Sequence, residues 1–165
     1  MKKIIGVIIL CLIVGIGSYF LTLFLDNLRK GGDVNVVVTF DDTNYYTIPS
    51  ITKMNKEKAL LEWPYKMVVE NTKDGKALYQ IIIKETEKST IKRDSLEYSL
   101  YLDDKEISNG KLNDIKNNIL YTGNIEGKIK QNYKLYIWVI KDVLETDVYE
   151  YKLEFNTIKS GGPGF

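Results

Sequence analysis

An all-β, antiparallel, immunoglobulin-like β-sandwich of about seven strands, preceded by one N-terminal transmembrane helix, is the fold class predicted by this 165-residue sequence. Three observations predict it. Between residues 34 and 158 apolar side chains recur with a period of two in short runs. Those runs are separated by Asp-, Asn- and Gly-containing turns, with no long helical period between them. Ahead of them, residues 4–25 carry no charge at all.

That uncharged stretch reads IIGVIILCLIVGIGSYFLTLFL, and at about 1.5 Å rise per residue a helix of this length measures about 33 Å, enough to cross a bilayer. Lys2 and Lys3 precede it, so the positive-inside rule leaves the N-terminal stub in the cytoplasm and exports everything after it. The competing reading is a cleaved signal peptide. The apolar run is too long for one, and the best small-x-small pair, Gly15 and Gly17, lies in its middle. An uncleaved, single-pass signal anchor in the cell membrane is therefore expected, with secretion after cleavage as the alternative. Within the run Cys11, Gly15, Ser18 and Thr22 share one helical face, a stripe of small side chains that lets membrane helices approach closely.

The domain is expected over residues 31–158, with 159–165 a flexible Gly-rich tail. Residues 34–40, VNVVVTF, are β-branched and form the first strand. Asp41 to Asn44 turn, and residues 45–48 make a short edge strand stopped by Pro49. Asn55 caps one or two helical turns in KEKALL, after which Pro64 resets the chain. Residues 65–70 and 77–85 are two strands joined across Asp74-Gly75. Residues 86–94 read as an exposed loop or a ragged strand end. Leu96, Tyr98, Leu100 and Leu102 then mark the cleanest amphipathic strand, turned by Asp103-Asp104-Lys105. Residues 106–116 read as a loop whose Leu112 and Ile115 tuck under the sheet. Residues 118–126 read as a strand bulged at Gly123, and residues 133–141 form a central strand because both faces are apolar. Residues 148–158 close the domain. Tyr133 occupies the place of the tyrosine corner found in immunoglobulin-like domains.

Composition removes whole classes of function. There is no histidine, and the single cysteine lies in the apolar run, so Ser-His, Cys-His and zinc-His chemistries have no residues to use. Lys plus Arg is 23 against 22 for Asp plus Glu, with signs interleaved, which leaves no footprint for nucleic acid. The pairs Asp41-Asp42 and Asp103-Asp104 sit in turns without the spacing of a calcium loop, so neither a metal nor another cofactor is expected. An enzyme is not expected; a carboxylate-based hydrolase is the residual alternative. Tyr101, Tyr136 and Trp138 lie on strand faces opposite the better core and form a candidate interaction face.

The segments Pro64–Thr72 (PYKMVVENT), Leu120–Gly123 (LYTG) and Tyr133–Val139 (YKLYIWV) resemble the small exported immunoglobulin-like sandwich proteins of Gram-positive bacteria, loosely the TasA and camelysin group. The resemblance implies an envelope or matrix protein that polymerises by exchanging an edge strand. The expected function is a membrane-anchored structural or protein-interaction module of the cell surface, with protein partners or self-association. The alternatives are an accessory module for wall polymer or a small ligand, and a secreted filament subunit.

Overall fold

β-Branched and aromatic residues at alternate positions commit the chain to extended backbone, because only a pleated strand puts one set inward and the other outward. The computed structural model describes residues 33–159, and Asp33 to Lys159 form one compact unit. Nine strands occupy the described residues: β1 (Val36–Phe40), β2 (Tyr45–Thr47), β3 (Tyr65–Asn71), β4 (Ala77–Glu85), β5 (Leu96–Leu102), β6 (Lys105–Lys111), β7 (Ile119–Ile125), β8 (Lys130–Val139) and β9 (Glu150–Lys159). One four-residue helix, α1 (Lys56–Ala59), lies between β2 and β3. The strands form two wholly antiparallel sheets, one in the order β1-β3-β8-β5-β6 and the other in the order β2-β9-β4-β7.

The core lies between the sheets. Tyr65, Met67 and Val69 of β3, Leu96 and Leu100 of β5, and Tyr133, Leu135 and Val139 of β8 come from one side. Ala77, Tyr79, Ile81 and Ile83 of β4, with Tyr149, Tyr151 and Leu153, come from the other. All are buried, and each large side chain contributes roughly 1.5–3 kcal/mol of transfer free energy. The tyrosine rings meet edge-on or tilted across the interior, as Tyr65 does with Tyr46 at 4.9 Å and Tyr79 with Tyr133 at 6.5 Å.

Three expectations need correction. Residues 105–111 are a strand rather than a loop: KEISNGK lacks apolar alternation, so its strand character comes from pairing with β5 alone. The hairpin is closed by Asp103 and Asp104, whose positive φ values of 45° and 68° match the twist that two-residue hairpins require. The irregularity in β7 is at Leu120, not Gly123, since Ile81 pairs with Tyr121 and Ile82 with Ile119. Gly123 is in register with Tyr79 and is glycine for another reason: a Cβ there would run into the Tyr121 ring. Finally, Tyr133 is not a tyrosine corner. Its hydroxyl meets the Tyr79 hydroxyl and Gln131 Oε1 in the interior, instead of reaching back to upstream backbone.

Among the described residues no helix is long and apolar enough to cross a membrane. The expected anchor, including Cys11, Gly15, Ser18 and Thr22, lies outside the described residues, as does the tail after Lys159.

The buried hydroxyls divide into bonded and unbonded. Burial pushes the Tyr79 phenol up to about 12 and Tyr133 higher still, and both hydroxyls share Gln131. Tyr151, completely enclosed, has no hydrogen-bond partner for its hydroxyl among the described residues. Tyr133→Phe is therefore expected to cost about 1 kcal/mol in urea unfolding, while Tyr151→Phe is expected to be neutral or stabilising.

Candidate interaction surface

The outer face of the five-stranded sheet is built around β8. Parity along that strand sends Lys134, Tyr136 and Trp138 outward while Tyr133, Leu135 and Val139 turn in. The segment before β3 then folds over the far half of β8. The Met54 N–H donates to the Val139 carbonyl (3.0 Å), Asn55 Oδ1 accepts from the Lys58 N–H (3.1 Å), and α1 packs on β8. Lys56 Nζ reaches Glu106 Oε1 at 2.6 Å, and Ser99 Oγ donates to the same oxygen. The hydrogen bond from Lys56, seconded by Ser99, holds the Glu106 carboxyl below its usual 4.5.

This cover decides the fate of the expected aromatic face. Tyr101 and Tyr136 do come together there, half-buried and T-shaped with centroids 5.8 Å apart. Trp138 lies on the same face but is only 3% exposed, so it is not a surface residue. The cleft beside it, lined by Pro49, Met54, Trp63 and Tyr136, encloses about 20 Å3, room for a water-sized group and far short of the several hundred Å3 of a ligand pocket.

The Asp103-Asp104 pair forms a turn. Asp103 Oδ1 accepts from Asn132 Nδ2 at 3.0 Å, and Asp104 pairs with Lys134 at 2.5 Å. Among the described residues no group of three or more carboxylate, Cys or His side chains is gathered around a point that a metal ion could occupy. The buried phenols are pushed far from neutral pH by desolvation, which suits packing rather than proton transfer.

Two features were not foreseen. Leu61 is 87% exposed and Trp63 is 80% exposed, both beside the α1 cover, and Leu144 in the β8–β9 connection is 70% exposed. All three lie where β8 ends and β9 begins. The chain enters and leaves at the other end, where the Asp33 carbonyl accepts from the Gly75 N–H (3.1 Å) and Lys159 pairs with Ala77. The second feature is an open hollow of about 480 Å3 lined by Tyr45, Thr86, Glu87, Lys88 and Glu150, with Lys152 Nζ 5.6 Å over the Tyr45 ring. The sequence signal for Leu61 and Trp63 was weak, since apolar residues beside Pro64 read equally well as the start of β3.

No protein-family model, curated protein or solved structure matches this chain.

The sign of one pH effect follows from Glu106. Because its carboxyl is held low, the stabilisation it gives the α1 cover is fully present above pH 4.5 and is lost as pH falls through its lower folded value. In a Trp63→Phe background, acrylamide quenching of Trp138 is expected to rise on acidification below that range. Glu106→Gln is expected to raise it at neutral pH.

Proposed function

We propose that this chain is a membrane-anchored, extracytoplasmic protein-interaction module of the bacterial cell surface. The observation that carries the reading is the polarity of the sandwich: the chain enters and leaves at one end, while Leu61, Trp63 and Leu144 are bare at the other. Burying large apolar side chains such as these against a partner would recover transfer free energy, which supports a contact site at that end. The uncharged N-terminal run preceded by Lys2 and Lys3 supports the anchor. The two-sheet layout supports an immunoglobulin-like assignment in the broad sense, and the resemblance to the TasA and camelysin group points to an envelope or matrix role.

Cysteine labelling tests the topology. Trp63→Cys is expected to react with a membrane-impermeant maleimide on intact wall-digested cells, while the parent protein, whose single thiol is Cys11, stays unlabelled. Labelling of the variant only after lysis would remove the extracytoplasmic reading.

A second reading, a module for wall polymer, is favoured by the hollow at Tyr45, which combines an exposed aromatic face with polar and charged rims. Saturable binding of wall polysaccharide that is lost in Tyr45→Ala but unchanged in Trp63→Ala would move the function to that site.

A further inference from the structure

The two sheets leave four edge strands, and three of them are blunted. β2 is only three residues long. β6 carries Lys105, Glu106 and Lys111 and slips register against β5 between Leu100 and Tyr101. β7 is bulged against β4 and contains Gly123. Short length, charge and bulges are the devices by which sheet edges avoid pairing with other chains. β1 has none of them: Val36-Val37-Val38-Thr39-Phe40 contains no charge, proline or glycine and keeps one unbroken register against β3.

The backbone of β1 is also poised. The Thr72 N–H donates to the Asn35 carbonyl and the Asp41 N–H to the Lys66 carbonyl, so the odd-numbered residues of β1 bond inward to β3. The amides and carbonyls of Val36, Val38 and Phe40 consequently face away from the sheet along a free edge. Their side chains point into the seam between the sheets and are only half-buried there, packed on the rim of the core. Val37, on the outer face, is 43% exposed.

We propose that β1 docks the β1 of a second copy of this chain, antiparallel, about a two-fold axis at Val38. The strand is self-complementary in that arrangement. Val38 faces its own counterpart, and Val36 faces the second copy's Phe40, all at hydrogen-bonding positions. Valine against valine and valine against phenylalanine are favourable cross-strand pairs, and they complete the burial of the three half-covered side chains. Val37 faces Thr39 on the outer side, and Asn35 faces Asp41 at each end, so no like charges meet. A two-fold contact through β6, centred on Ser108, would set Lys105 against the second copy's Lys111. β2 is hydrogen-bonded to β9 in the other sheet and leaves this edge open. The pairing is isologous and closes at two copies, and it holds wherever the chain resides.

The test uses the full chain in detergent micelles with Cys11→Ser. Residues 37 and 39 of the two copies form a non-hydrogen-bonded pair with Cα atoms about 4.5 Å apart, within disulfide range. Mixing copies bearing Val37→Cys with mass-tagged copies bearing Thr39→Cys is expected to give the mixed disulfide dimer. Adding Val38→Pro to both is expected to abolish it, because that N–H faces the free edge and is not used by β3. An unchanged circular dichroism melt would show that this variant still folds. Cross-linking no faster than in a control with Cys placed at exposed Asn109 would overturn the proposal. Light scattering separates the anchor from the edge. A dimer kept in Gly15→Ile and lost in Val37→Lys supports the edge, with Val37→Thr restoring it. A dimer lost in Gly15→Ile and kept in Val37→Lys, or a monomer throughout, overturns it.

Discussion

A central strand with apolar side chains on both faces cannot leave either face in water, and β8 imposes that constraint on the whole domain. Its inner residues Tyr133, Leu135 and Val139 are met by the opposing sheet. Its outer Trp138 has no second sheet to meet, so the chain between β2 and β3 must supply a cover. The cover is short because only the far half of β8 needs it: β3 pairs with β8 as far as Tyr65 and Leu135, and beyond that point Met54 takes over by bonding to Val139. Lys56, Glu106 and Ser99 then fasten α1 to the neighbouring strands, which is why an edge strand as polar as β6 carries a partly buried carboxylate.

The same domain fills its interior with tyrosine, and phenols bring hydroxyls that must be bonded or paid for in desolvation. Several are placed where they find partners. Tyr65 donates to the Thr43 carbonyl in the corner between β1 and β2, Tyr98 meets Ser108 across the β5–β6 hairpin, and Tyr79 and Tyr133 share Gln131. The bonds of Tyr79 join β4 of one sheet to Gln131 and Tyr133 of β8 in the other, so they also set how the two sheets align. Tyr151 gains only packing, with rings of Tyr46, Tyr65 and Tyr149 around it.

What remains for function is at the boundary of this core. The acids close turns, the outward tryptophan is covered, and the cleft beside it is too small for a ligand. The described surface carries bare Leu61, Trp63 and Leu144 at the end away from Asp33 and Lys159, a hollow at Tyr45, and an uncharged edge at β1. Covering an exposed apolar side chain or pairing a free strand edge recovers free energy on association.

Strand alternation and turn chemistry are local properties, and the sequence determined them well. The bounds of β4 and β5, the Asn55 cap, the central place of β8, the edge position of β2 and the burial of Leu112 all follow from side-chain period, β-branching and capping. The long uncharged run of residues 4–25 is equally plain in the sequence. Tertiary structure alone decided the rest. The strand character of β6 depends on a partner, the bulge at Leu120 on the spacing of β4 opposite it, and the hydroxyl of Tyr133 on which residues lie across the core. Tyr136 and Trp138 have the same parity and are each flanked by aliphatic residues, yet one is half-exposed and the other enclosed. Periodicity reports which face of a strand a residue occupies, whereas burial depends on what the rest of the chain lays upon that face.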